Sequence, residues 1–574
     1  MKNKWDLSPM YKDVSAWEVD FNKVAAELPS LVEYKEQLKT ADVILACLTK
    51  ISEVARLLEK VYVWANLKDS EDISDEATSI CLKRVQKLWN DFGQAVSFID
   101  PELVKLEDEF LDTLIADQQF SDFVMQLKQV KREKPHVLSK KEEALLARAG
   151  MLWDDPYNIF SNFDNVDAHF GKVKDETGAE VAVTHGNYST LLEKQDRGVR
   201  QAAFEAVYKE YEGHIHTLTE VLGAVVKQHD FLREVRNYES AAAAALHGKN
   251  VDVEVYHNLI KQVHKRLDVV YKYVEKRKSL LDLDEIRMWD LRVPVMGVEL
   301  KFSFDEAIEL CVEAAKPLGD DYVKVLEEGL RGGWVDKYET KGKRSGAFSS
   351  GCYDSWPYIL MNFDGTLNDV FTLMHEAGHS MHSYLANQNQ PYSLANYPIF
   401  TAEIASTVNE RLLTDHLLKT WEGDRRLAVL HHEIDTIRAT FFRQTMFAEF
   451  ELMLHETVAK GVPITKDFLC DQYEAMNKLY YGPTMSADAY IKFEWARIPH
   501  FYYDFYVYQY ATGIAAAYNF AEHILSGDAD RYLNLLKSGG SDYPLNLLKK
   551  AGLDMTQDFY GPIFSRFEEL VEQI

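Results

Sequence analysis

Cysteine, basic charge and long apolar runs are all scarce in this 574-residue chain, and each shortage removes a class of protein. The five cysteines, Cys47, Cys81, Cys311, Cys352 and Cys470, are odd in number and widely scattered. They offer neither a disulfide framework nor a zinc-spaced pair, and each reads as a small buried hydrophobe in a reducing cytoplasm. Lys and Arg number 64 against 91 Asp and Glu, a formal net charge of −27. Phosphate recognition needs a basic field, so a nucleic-acid partner is not expected. No apolar run approaches the roughly 18–20 residues of a membrane-spanning helix, so no membrane partner is expected either. The opening Met1-Lys2-Asn3-Lys4-Trp5-Asp6 has no apolar signal core, which points to a cytoplasmic location. Glycine and proline do not cluster into a linker, and no repeat of roughly 20–50 residues is visible.

What remains is a globular composition, 47% hydrophobic and 27% charged, long enough for two or more lobes. Helical periodicity runs almost unbroken from about residue 10 to 150, for example over 43–67 and 77–98, with a break at Asp100-Pro101. The charged stretch 127–143, which contains Pro135, reads as an exposed connector. A hairpin is expected over 170–184, turning at 175–178. Helical patterning resumes from 188 to 280, and only 288–302 and 346–363 look strand-like before helices dominate from 367 to the end. The expectation is a mainly α protein with a small mixed or antiparallel sheet. A helical N-terminal lobe would span 1–190 and a second domain 191–574, with segments of each free to interleave in space.

The chemistry is concentrated in His375-Glu376-Ala377-Gly378-His379. Two histidines four residues apart share one helix face, so both imidazoles can reach one Zn²⁺, and the intervening glutamate can activate a water at the ion. Val370-Phe371-Thr372-Leu373-Met374 before the motif is mostly apolar, and Thr366 with Asp369 forms a capping box after the Asp364-Gly365 turn. A third ligand is needed. The metzincin pattern would place a glycine and a histidine where His382 and Leu385 stand, so it does not apply. Glu403 is the better candidate, in the first turn of a second helix carrying Ile404, Val408, Leu412 and Leu413 at helical spacing and capped by Thr401. Glu410, two turns on, could hydrogen-bond a ligand histidine. Either acid would also pass for a solvated surface residue, and His382 for a substrate contact or a satisfied core histidine.

The motif His375–His382 followed by Glu403 resembles the thimet-oligopeptidase-like zinc metallopeptidases, and most closely their oligoendopeptidase F branch. Trp289-Asp290-Leu291-Arg292-Val293-Pro294, the run Lys341-Gly342-Lys343-Arg344-Ser345-Gly346-Ala347-Phe348-Ser349-Ser350-Gly351, Ile498-Pro499-His500-Phe501-Tyr502-Tyr503-Asp504-Phe505-Tyr506 and the opening Trp5-Asp6-Leu7-Ser8 carry the likeness across nearly the whole chain. The resemblance implies one zinc ion held by His375, His379 and Glu403, Glu376 as general base, and a two-lobed helical fold with a deep substrate channel and a small β-sheet beside the motif helix. It also implies selection for short, unfolded oligopeptides.

If the aromatic run is helical from His500, then His500, Tyr503, Tyr506 or Val507, and Tyr510 fall on one stripe. By itself such a stripe reads as core; the resemblance makes His500, Tyr503 and Tyr510 donors to the substrate carbonyl and the transition state, with Tyr506 a weaker substitute. Thimet-type members carry a glycine-containing loop between the histidine and the tyrosines, and no glycine stands there in this chain. Upstream of the motif, 358–363 reads as a buried strand, and the Gly- and Ser-rich 345–351 as backbone that a ligand can approach. An extended peptide could pair with an edge strand there, while a simple hairpin fits the composition equally. The functional expectation is a zinc endopeptidase hydrolysing internal bonds of oligopeptides with a metal-activated water. A zinc exopeptidase and a non-catalytic peptide-binding protein are the alternatives.

Overall fold

Short strands and long helices make up the chain, in a computed structural model that describes residues 3–294 and 300–574. The fold is mainly α. Two compact units form, each from three separated stretches: 1–135, 299–419 and 520–553 in the first, and 136–298, 420–519 and 554–574 in the second.

The first unit is built on three N-terminal helices, Val14–Val32, Ala41–Glu71 and Glu76–Val96. Asp13 and Asp75 cap two of them by accepting from backbone N–H groups one turn in. The fully buried Trp17 stacks on Trp64, and its indole N–H donates to the Val61 carbonyl at 2.8 Å, so the large ring is buried without leaving its polar atom unpaired. This helical core continues through Cys352, Tyr358 and Leu360 into a three-stranded sheet. The sheet joins β3 (Val335–Asp336), β4 (Phe348–Ser350) and β5 (Tyr358–Leu360) in the order β3-β5-β4, with β5 parallel to β3 and antiparallel to β4. All of β5 is buried, as a central strand covered on both faces must be, and β4 lies at an edge. Trp5 packs on Phe348 and Tyr358, and the Tyr358 hydroxyl donates to the Asp6 carbonyl. Lys343, in the run singled out from the sequence, is buried against Asp336 at 2.6 Å and also donates to the Tyr338 carbonyl. It anchors the loop that enters β4.

In the second unit the expected hairpin forms from β1 (Lys172–Lys174) and β2 (Glu180–Ala182), with Val173 opposite Val181. Asp290 of the Trp-Asp-Leu-Arg-Val-Pro run is fully buried and receives Arg197 at 2.8 Å and Arg200 at 2.9 Å, while Arg277 donates to its carbonyl. That run is therefore an internal clamp, because a buried carboxylate needs such partners.

Two expectations need correction. Stretch 127–143 is mostly helix, Val124–Glu133 and then Lys140–Trp153, which Ser139 and Glu142 start with a capping box. Leu127 and Val130 bury one face that the surrounding charges disguised. Stretch 288–302 is no strand over its described part: Met288–Asp290 is a 3₁₀ turn, and 295–299 lie outside the described residues.

The feature that sets the geometry of the motif is a helix crossing in the first unit. The motif helix Leu367–Asn389 starts at the expected Thr366/Asp369 capping box. Its Gly378 lies so close to the helix Ile399–Thr420 that a Cβ there would stand 2.6 Å from the Ser406 Cα and 2.7 Å from the Ala405 carbonyl oxygen. Both are backbone atoms, so no side-chain rotation can relieve the clash. Gly378→Ala is expected to destabilise the protein by about 1–3 kcal/mol, the usual cost of overpacking, and Gly378→Val by more, read as a lower midpoint in chemical denaturation.

Candidate metal centre

The crossing at Gly378 brings three donor atoms together. His375 Nε2 and His379 Nε2 are 3.2 Å apart, and each is 3.6 Å from Glu403 Oε2. Donors of a tetrahedral zinc site, each about 2.0–2.1 Å from the ion, stand about 3.3–3.4 Å apart, so the three fit one Zn²⁺ with little adjustment. The two imidazole planes lie 84° apart, which lets both lone pairs converge on a point off the line between them. The three side chains are 20–33% exposed, recessed yet reachable by solvent. The donor set suits zinc, which takes imidazole nitrogen and carboxylate oxygen.

Glu403 arrives there differently from the sequence expectation. The helix begins at Ile399, after Pro398, and Thr401 lies inside it, buried, with its hydroxyl donating to the Pro398 carbonyl. Thr401 is thus no N-cap, and Glu403 is the fifth helical residue, just beyond the first turn. Proline, which lacks an N–H and fits a helix start, marks the boundary better than the threonine did. The Glu403 Oε2 atom also accepts the Ser406 hydroxyl at 3.1 Å.

Glu410 accepts from His375 Nδ1–H at 2.6 Å, which fixes the tautomer that leaves Nε2 aimed at the cluster. Burial depresses the His375 pKa, but the Glu410 hydrogen bond and the carboxylates of Glu410, Glu376 and Glu403 more than reverse it, to about 9. Burial and the charge on His375 push His379 the other way, downward.

Glu376 is 7% exposed. Burial raises its carboxyl pKa, opposed by His375 and by the Ser349 backbone N–H, and reinforced by Glu403 and Glu410. Such a shift suits a group that must accept and return a proton near neutral pH. Ser349 belongs to the edge strand β4, and its hydroxyl pairs with that of Ser380 at 2.8 Å, so the sheet is pinned to the motif helix beside the glutamate. Cys352, next to β4, is buried with its thiol pushed up to about 11, too weakly ionised for a nucleophile.

His382 does not join the cluster. It is 1% exposed and stacks on Tyr397 with ring centroids 3.5 Å apart. Burial pushes its pKa down to about 3. It is a core histidine, but not the satisfied one the sequence allowed, because its buried Nδ1 has no hydrogen-bond partner among the described residues. Tyr397, whose hydroxyl meets Ser383 at 2.7 Å, carried no signal in the sequence, because nothing about a tyrosine in a loop marks it as a stacking partner.

The aromatic run belongs to the second unit and is not helical from His500. Pro499–Tyr502 forms a 3₁₀ turn, Asp504 and Phe505 adopt left-handed backbone (φ 50° and 54°), and an α-helix resumes at Tyr508. The expected stripe nevertheless survives as a ring cluster. His500 lies 5.4, 6.2 and 5.8 Å from Tyr503, Tyr506 and Tyr510, centroid to centroid. The bend, rather than a helix, gathers them, while Phe501, Phe505, Val507 and Tyr508 turn into the core. The Tyr503 hydroxyl lies 3.1 Å from that of Tyr157, a neighbour 346 residues away that no local pattern could reveal. Burial and the charge of Arg443 lower the His500 pKa.

Removing the Glu410 carboxylate tests the centre directly. Glu410→Ala is expected to weaken zinc binding by about 10–100-fold, the usual effect of losing the partner that orients a ligand histidine. Competition with a metallochromic chelator reads it.

The model of peptidase family M3 matches residues 190–561, and that of oligopeptidase F matches 102–170. Among curated relatives, oligopeptidase PepF of Bacillus subtilis is 41% identical over 97% of this chain and 84% of its own length. An oligoendopeptidase F homolog of Lactococcus lactis is 39% identical over 100% of this chain and 97% of its own. The crystal structure of oligoendopeptidase-F from Enterococcus faecium is 35% identical and superposes with a TM-score of 0.72, covering 98% of this chain and 99% of its own. A Chlamydophila abortus structure, 37% identical, superposes with a TM-score of 0.95 over 100% and 97% of the two chains. With both models and full-length relatives in agreement, the chain is a peptidase and belongs to family M3, on its oligopeptidase F side.

Proposed function

We propose that this peptidase is a zinc-dependent endopeptidase of short oligopeptides. The observation that carries the reading is the convergence of His375, His379 and Glu403 donor atoms, at tetrahedral spacing, beside a buried glutamate that is not itself a ligand. In this reading those three residues hold one Zn²⁺, which when bound supplies Lewis acidity and makes water a competent nucleophile at neutral pH. Glu376 takes the proton of the attacking water and passes it to the leaving amine; its raised pKa suits both halves of that task. Glu410 keeps His375 in the ligating tautomer. His500, Tyr503 and Tyr510 donate to the substrate carbonyl and to the oxyanion it becomes; their assignment comes from the family resemblance and from the ring cluster they form.

In this reading an extended peptide pairs along the edge strand β4, whose Ser349 backbone N–H reaches Glu376. The division into an N-terminal lobe over 1–190 and a catalytic domain over 191–574 is part of the same proposal. So is a cytoplasmic location, which five free, buried cysteines suit. No described helix is long and apolar enough to cross a membrane.

Glu376→Gln is expected to keep one zinc per chain yet lose nearly all turnover of a quenched-fluorescent peptide. Parental turnover by that variant would remove the assigned base. Chelation should abolish activity and added zinc restore it. Peptides blocked at both termini should still be cut internally, as mass spectrometry of the products would show; an exopeptidase would leave them intact, and a mere peptide-binding protein would bind without cleavage. Tyr510→Phe should lower kcat by about 10²-fold, the order expected for one oxyanion donor, with little change in zinc content.

A further inference from the structure

Outside the candidate metal centre, the second unit holds another cluster of histidine and carboxylate, His229, His455 and Asp504. His229 Nδ1 lies 3.1 Å from His455 Nε2 and 3.5 Å from Asp504 Oδ1. These distances alone resemble those of the first centre, but the ring orientations differ. The two imidazoles are nearly coplanar, 8° apart, with centroids 5.3 Å apart. That separation is close to the N···N distance plus the two centre-to-nitrogen radii, so the nitrogens face each other head-on. A lone pair directed along the N···N line meets a proton, not a cation set to one side. His455 Nδ1–H donates to the Glu451 carbonyl at 2.8 Å, which leaves its Nε2 as the acceptor for His229 Nδ1–H. The cluster is a hydrogen-bonded strut.

The strut braces the bend in the aromatic run. Asp504 and Phe505 are two successive non-glycine residues in left-handed backbone, whereas Glu36, Asn237, Asn250 and Asp282 adopt it singly. Left-handed backbone is unfavourable for residues with a Cβ, most of all for a bulky one, and persists only where the surroundings impose it. Here the helix Arg443–Ala459 imposes it from one face. Glu451, 1% exposed, accepts the Phe505 N–H at 2.7 Å, and no hydrogen-bond partner is found among the described residues for its other oxygen. Burial raises its carboxyl pKa well above the ordinary range. The Phe505 ring is clamped between His455, at 4.5 Å, and Tyr256, at 5.6 Å, whose hydroxyl donates to the Ala448 carbonyl of the same helix.

We infer that Glu451, through the Phe505 N–H, and the His229–His455 strut beside Asp504 latch this left-handed bend, and that they act as positioning residues for the ring cluster His500, Tyr503, Tyr506 and Tyr510. The latch does here what a glycine would do at no steric cost, with the difference that the bend is held in one conformation. This inference rests on the proposed role of those rings in the reaction.

Two matched pairs of variants test it. Glu451→Gln keeps a carbonyl acceptor of the same shape, and Glu451→Met removes it. Asp504→Asn tolerates left-handed backbone, and Asp504→Val does not; both lose the same charge, and the side chain is 45% exposed, so folding survives even where the buried Glu451→Met fails. The Gln and Asn variants are expected within about threefold of the parent in kcat. The Met and Val variants should fall at least about tenfold in kcat, with KM little changed, one zinc per chain retained and the melting temperature close to that of their matched partners. Crystal structures should show Tyr503 and Tyr506 displaced in the Met and Val variants only. An undisplaced bend, or equal losses in both members of a pair, overturns the latch. A second tightly bound zinc in the parent, lost in His455→Ala, overturns the strut in favour of a metal site. If Tyr510→Phe and Tyr503→Phe turn over at the parental rate while the bend is displaced as described, the functional role of the rings fails and the structural latch stands.

Discussion

Everything at the candidate centre depends on two helices touching backbone to backbone at Gly378. A side chain of any size there would force the helix that carries Glu403 away from the helix that carries both histidines. The donor atoms span only 3.2–3.6 Å, so even a shift of a few tenths of an ångström matters to an ion with preferred bond lengths. The same contact carries Glu410 to within hydrogen-bonding reach of His375. One glycine in the middle of a helix, locally unfavourable, is what lets the two donor-bearing helices approach this closely.

The second constraint is electrostatic. Glu376, Glu403 and Glu410 crowd around two imidazoles, and that concentration of negative charge raises the His375 pKa to about 9; the same field favours a cation. Packing supplies the shape of the cluster and the carboxylates its sign. The sheet contributes as well, because Ser349 on the edge strand β4 reaches the general-base candidate. The edge strand and the buried glutamate are thereby held together.

The aromatic segment shows how a correct grouping can rest on a wrong local structure. Helical spacing from His500 grouped rings that do cluster, yet they converge across a left-handed bend followed by a later helix start. The bend is dictated by Glu451, His455 and Tyr256, which lie at least 45 residues away in the chain. Likewise Thr401 looked like a cap because threonine caps helices, while Pro398 actually set the boundary. In stretch 127–143 the abundance of charge hid two apolar residues one turn apart, and those two decided the helix.

The class of fold, the motif with its spacing and capping box, and a short list of candidate acids were legible in the chain without any tertiary contact. These are properties of neighbouring residues, and helix periodicity transmits them over a few turns. Packing between distant segments is what brings Glu403 and Glu410 to His375 and His379, turns His382 into the core against Tyr397, and makes two non-glycine residues accept left-handed backbone. Each of those outcomes depends on contacts between segments far apart in the chain, where packing rather than local propensity fixes which side chains meet.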